Sequence, residues 1–113
     1  MRDVRERLLD IIEAIERIER YAAHGEDAFR RDDLIQTWIV FHLQIIGEAS
    51  SKLGRDFHEM YPEVPWPRIV AMRNVLVHDY FGIDLNEVWA AVERELPDLK
   101  HEVEKILKDI ERK

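Results

Sequence analysis

A chain of 113 residues with 24 acidic residues against 17 Lys and Arg carries a net charge of -7, and at long range it repels phosphate backbones. That excludes a general nucleic-acid coat protein, but not a nuclease with a local basic cleft. The 46% hydrophobic content implies one folded domain over 1–113 and no disordered tail, and the absence of cysteine removes disulfide frameworks and thiolate metal sites and suits a reducing cytosol.

In chain order, the period is helical throughout. Val4, Leu8, Ile11, Ile12, Ile15 and Ile18 recur at three- and four-residue steps and predict an amphipathic helix from about Arg2 to Ala22. The run "HGEDAFRR" then reads as a break. Asp32 or Asp33 is placed to cap a second helix running to Leu53, with Gly54 as a left-handed stop. Trp38, Ile39, Val40, Phe41, Leu43, Ile45 and Ile46 point around nearly the whole of this helix, so one side should meet the core and another a partner, expected to be a second copy of the chain. Gly47 inside it costs about 1 kcal/mol relative to Ala, for which the usual return is close approach of another backbone.

"YPEVPWP" reads as an irregular connection, and Pro67 opens a third main helix, "PRIVAMRNVLVH". After a short break at "DYFG", Asp84 and Glu87 resemble a capping box for "LNEVWAAVEREL". Pro97 is expected to end or kink that helix, and Leu99, Val103, Ile106, Leu107 and Ile110 form a last amphipathic stripe. The expectation is an all-α, antiparallel bundle of four to five helices. The longest apolar run, residues 38–46, is interrupted by His42 and Gln44 and falls far short of the roughly 20 residues of a membrane helix. With no apolar leader after Met1, a cytoplasmic chain without a membrane partner is expected.

The segment that stands apart is residues 73–80, "RNVLVHDY". Its polar groups either trim the end of a core helix or form a site. Asn74 and His78, four apart, share a helix face, whereas Arg73 and His78 diverge by about 140° on an ideal helix and meet one ligand only if His78 lies where the helix ends. There the helix dipole favours a protonated imidazole. Metal-free cleavage of RNA by its own 2′-hydroxyl needs a base, an acid and a cation for the charged phosphorane. Arg73 suits the last role because its planar fork matches phosphate, and His78 suits either proton-transfer role. One copy supplies one such histidine; a two-fold dimer would supply two. Tyr80 is placed to orient His78 or to bind phosphate.

"RNVLVHDY" resembles the RxxxxHxY signature of the HEPN superfamily, specifically the HepT-like (DUF86) toxins, and "IIGEAS", "YPEVPW", "AMRN", "YFGID", Trp89 and "LPDL" follow in that family's order. The resemblance implies a helical HEPN bundle that dimerises with its motifs facing across a cleft. It implies a metal-independent ribonuclease toxin, silenced by an MntA-type minimal nucleotidyltransferase antitoxin that transfers AMP to the motif tyrosine. Residue by residue, Arg73 and His78 become the catalytic pair, Asn74 the accompanying polar residue and Tyr80 the AMPylation site, with RNA as substrate and no metal or cofactor. A non-catalytic nucleotide-binding or docking module for the nucleotidyltransferase is the competing expectation.

Other residues have plainer readings beside functional ones. Glu48 either anchors or orients Arg73. His42 reads as a core or interface histidine, and Trp38, Trp66 and Trp89 as core. His24, His58 and His101 lack a metal-ligand partner at i+4. Arg30, Arg31, Lys52, Arg55 and Arg68 either line an approach for RNA or form an ordinary solvated face.

Overall fold

The structure, a computed structural model, describes residues 3–78 and 84–112, and at 72 and 74–78 only the helical backbone. The described residues are helical, with no strand among them. Four main helical runs carry the fold: α1 (Val4–Ala22), α3 (Asp33–Lys52), α5 (Trp66–His78) and a continuous run made of α6 (Leu85–Ala90), a π turn (Ala91–Glu95) and α7 (Leu96–Arg112). Two short helices, α2 (Glu26–Arg31) and α4 (Arg55–Met60), fill the links around α3.

Local chemistry sets these bounds. Asp3 caps α1 by accepting from the Glu6 N–H at 2.9 Å, and Asp32 caps α3 through the Leu34 N–H at 2.9 Å. Asp84 opens α6 through the Asn86 N–H at 2.8 Å. The segment "HGEDAFRR", read as a break, contains the six-residue α2. Phe29 is fully buried there, so burial of one aromatic outweighs the short length. Helix α4 arises in the same way around Phe57. Gly54 does take a positive φ of 90°, but with ψ 162°; Leu53 closes α3 in the right-handed region and Gly54 is the residue that opens α4. Helix continues through Pro97. Its ring would collide with a carbonyl four residues back, and the preceding π turn, in which the Leu96 N–H reaches the Ala91 carbonyl five residues back, widens the helix there.

Register follows from cross-helix contacts. Arg7 shares a groove with Glu48, while Arg17 meets Trp38, whose indole N–H donates to the Arg17 carbonyl at 2.8 Å. Helices α1 and α3 are therefore antiparallel. Arg5 pairs with Glu111 and Lys100 with Glu19, at 3.5 and 2.9 Å, so α7 is antiparallel to α1 as well. The core lies between them: Leu8, Ile11, Ile15 and Ile18 of α1 close on Ile39, Leu43 and Ile46 of α3 and on Leu99, Val103 and Ile106 of α7. Trp66 and Ile69 bring the start of α5 onto the same core, with the Trp66 indole N–H donating to the Tyr61 carbonyl at 3.0 Å. None of the helices is long and apolar enough to cross a membrane, among the described residues.

Candidate active site around Arg73

The candidate site is built where α5 crosses α3. Gly47 leaves a notch in α3, and the first carbons of the Arg73 side chain fill it: a Cβ added at Gly47 would run into the Arg73 Cβ and lie 3.0 Å from its Cγ and 3.2 Å from its Cα. No side chain fits there without moving α5. The cost of a glycine in mid-helix thus has its return in the placement of one arginine.

From the notch the guanidinium reaches across α3. Its Nη1 lies 3.9 Å from the Glu48 Oε2, while Nε is buried with no hydrogen-bond partner. A bidentate clamp of carboxylate on guanidinium holds about 2.7–2.9 Å, so Glu48 does not fix Arg73 in that sense. An orphaned buried donor costs about 1–3 kcal/mol, and a ligand acceptor would remove that cost. Glu48 has a closer partner in Lys52, whose Nζ is 3.0 Å from Oε1. The hydrogen bond and charge of Lys52 hold the Glu48 carboxyl below its usual range, with the charges of Arg73 and Arg7 acting the same way. Glu48 is 53% exposed, so these charges meet at the surface.

Beside Glu48 a shallow hollow of about 260 Å³ runs along α1 and α3, lined by Arg7, Asp10, Phe41, Gln44, Ile45 and Ala49. Phe41 is 56% exposed and Leu34 80%, on the side of α3 turned away from the core. A larger hollow, about 580 Å³, lies between the start of α5 and the run from α6 to α7, bridged by Arg68 and Glu95 at 2.6 Å. Its lining sets four carboxylates, Glu63, Glu95, Asp98 and Glu102, against Arg68, Arg94 and His101, a surface less suited to a polyanion than the cations around Glu48.

Of the residues singled out in sequence, Arg73 and Glu48 are brought together. The side chains of Asn74 and His78, and the whole of Tyr80, lie outside the described residues. His42 is buried, its Nδ1 2.7 Å from the Trp38 carbonyl, and Trp66 is core. Trp38 and Trp89 pack half-buried against the core. Four of the scattered basic residues are engaged locally: Arg30 with Glu26 at 2.8 Å, Arg55 with Glu59 at 3.1 Å, Arg68 with Glu95, and Arg31 with the Asp27 carbonyl at 3.3 Å. Lys52 is the fifth, and it is part of the Arg73 cluster. Its spacing of four from Glu48 was legible in the sequence; the approach of Arg7 from α1 was not, because it depends on the antiparallel register. No group of three or more His, Asp or Glu is placed to hold a metal, among the described residues.

An all-helical bundle with an arginine set into a glycine notch defines a class, and comparison with known proteins gives the family. The family model "Ribonuclease HepT-like" matches residues 11–106, and the chain belongs to that family. It is 39% identical over 113 residues to "Putative RNase MJ1216" of Methanocaldococcus jannaschii, covering 99% of this chain and 93% of that protein. "Putative RNase MJ0125" of the same organism is 35% identical over 113 residues, 99% of this chain and 97% of the relative. "Probable ribonuclease HepT" of Thermococcus cleftensis is 42% identical over 103 residues, 89% and 93% of the two chains. No solved structure matches.

Proposed function

We propose that this chain is a metal-independent endoribonuclease, one HepT-like domain acting as the toxin of a toxin–antitoxin pair. The single observation that carries the reading is Arg73, seated in the Gly47 notch with a buried, unpartnered Nε and only a distant carboxylate opposite Nη1. An arginine held in place but left unsatisfied is suited to receive an anion.

In the proposed reaction the ribose 2′-oxygen attacks phosphorus as a base takes its proton, and the bond from phosphorus to the 5′-oxygen breaks as an acid protonates that oxygen. A 2′,3′-cyclic phosphate and a 5′-hydroxyl result. Arg73 stabilises the charge on the phosphorane; His78 transfers a proton and Asn74 supports the pair, with Glu48 the carboxylate that faces Arg73 before substrate binds. Two copies supply two histidines for the two proton transfers. The exposed stripe of α3 with Leu34 and Phe41 is the face proposed to join them, because it is apolar, turned from the core and continuous with Glu48 and Lys52. A nucleotidyltransferase antitoxin would silence the toxin by AMPylating Tyr80, adding a phosphodiester charge and a purine to a site built for the substrate phosphate.

The experiment is cleavage of total cellular RNA in EDTA by wild type, His78→Ala and Arg73→Ala, and by protein treated with a cognate nucleotidyltransferase and ATP. Cleavage by wild type alone, with products ending in cyclic phosphate and one AMP added at Tyr80 in the silenced sample, is the expected result. RNA left intact by unmodified wild type at low salt would instead favour the non-catalytic module.

A further inference from the structure

Three cations from three helices converge on one carboxylate in this structure: Lys52 of α3 at 3.0 Å from Glu48, Arg73 of α5 at 3.9 Å, and Arg7 of α1 lining the same hollow. We propose that Lys52, assisted by Arg7, is a second phosphate-binding cation of this site, and that Glu48 is its resting counter-ion, occupying the place a phosphodiester takes when RNA arrives. The inference rests on the reading of the chain as a ribonuclease and extends it to residues outside the signature.

The geometry separates this role from that of an ordinary helix pair. Glu48 and Lys52 have the i, i+4 spacing of many surface pairs, which need nothing further. Here Arg73 of α5 also stands at pairing distance from the same carboxylate and Arg7 of α1 lines the hollow beside it, more positive charge than one carboxylate neutralises. With Asp10, which also lines the hollow, two acids face three bases, so a local excess of one positive charge sits on a chain of net charge -7. The contacts are also of unequal quality. Lys52 holds Glu48 closely; Arg73 lies at the limit of pairing and keeps an unpartnered Nε. A carboxylate that anchored Arg73 would be bonded to it in preference to Lys52. A carboxylate that stands in for substrate should instead be exposed, mobile on its stem and easily displaced, and Glu48 is 53% exposed.

An incoming phosphodiester brings one negative charge, as Glu48 does. It can therefore replace the carboxylate between Lys52 and Arg73 without leaving either cation unpaired. This also answers how an acidic chain approaches a polyanion. The attraction is local, in a patch where the carboxylate between Lys52 and Arg73 yields to the substrate, and its range is set by a Debye length of about 8 Å at physiological salt.

The test measures binding of a fluorescent, uncleavable 2′-O-methyl RNA by anisotropy across a salt series, beside cleavage of the unmodified RNA by wild type. Lys52→Met, with Lys52→Gln as a second variant, should weaken binding about five- to tenfold and lower the slope of log affinity against log salt by about 0.7. Glu48→Gln should act in the opposite direction and tighten binding about threefold or more, because the competing charge is gone. Binding by all variants within twofold of wild type would overturn the inference even where wild type cleaves RNA. Weaker binding by Glu48→Gln would equally overturn it and make Glu48 an anchor for Arg73. Should wild type cleave nothing yet the three variants move binding as stated, the phosphate site stands and the nuclease reading falls; absence of both binding and cleavage removes the two together.

Discussion

Helices α1 and α3 are nearly equal in length, 19 and 20 residues, and lie antiparallel against one another, yet their sequences differ in kind. Helix α1 buries its apolar stripe at Leu8, Ile11, Ile15 and Ile18, and its outward face is mostly Glu, Arg and Asp, with Val4 and Leu9 little more than a third exposed. Helix α3 buries Ile35, Ile39, Leu43 and Ile46 and still leaves Leu34 and Phe41 exposed, with a glycine in the middle and an ion cluster at the end. The first helix has the sequence its packing requires. The second has more apolar surface than its packing uses and a gap where a good helix former would be more stable. The difference singles out α3 as the helix whose sequence departs most from what packing requires, which is where the proposed site lies.

If that comparison is right, damage to the buried face of α1 should cost stability alone. Ile15 is fully buried, and Ile15→Ala should cost about 2–5 kcal/mol, read by thermal or urea unfolding. Cleavage per folded molecule should stay at the wild-type level; a selective loss of cleavage would show that the buried face of α1 also shapes the site. Gly47→Ala probes α3. The added methyl pushes α5 off α3 and should cost about 1–3 kcal/mol through overpacking, partly offset by better helix propensity. Cleavage should fall well beyond the fraction unfolded, because the group displaced is Arg73. Full activity in a folded Gly47→Ala protein would sink the notch as a positioning device. Phe41→Ser should change unfolding of the isolated chain by less than about 0.5 kcal/mol, since the ring is more than half exposed. Sedimentation should nonetheless show a shift from dimer to monomer, and an unchanged sedimentation coefficient would move the dimer interface elsewhere.

The legible part of this molecule is the part governed by periodicity and spacing. The stripe of α1, the Asp32 cap, Gly47 as a point of close approach and the core Trp66 all follow from local pattern, because burial and capping act within a turn or two. Helices α2 and α4 did not, since six residues give too few turns for a period and each is held by one buried aromatic, Phe29 or Phe57. Continuation through Pro97 was hidden for a different reason: the relief comes from a π turn, which has no sequence signature. At the site, Arg73 was legible from its motif and Glu48 from its neighbourhood. Lys52 is a local i, i+4 neighbour of Glu48, but the approach of Arg7 depends on how α1 lies against α3, and one sequence does not contain that information in local form.

The smallest effect gives the sharpest form of the comparison, because each of the two helices carries the same ion pair. In α1, Arg17 lies 2.8 Å from Glu13; in α3, Lys52 lies 3.0 Å from Glu48; both are i, i+4 with the acid first and both are about half exposed. On stability they should be equivalent, Arg17→Ala and Lys52→Met each costing about 0.3–0.5 kcal/mol at low salt and less at high salt. The Glu48 carboxyl is held below its ordinary range by Lys52, so its share of that stability is present above the range of a free carboxylate and is lost as pH falls through the lowered value. Binding of RNA should separate the twins. Arg17→Ala should leave it unchanged, because Glu13 and Arg17 form a pair outside the Arg73 cluster, while Lys52→Met should weaken it, because Arg73 and Arg7 also act on its carboxylate. Equal effects of the two substitutions on binding would mean that charge anywhere on this face is enough, and the convergence of three helices on Glu48 would then be packing without consequence for the substrate.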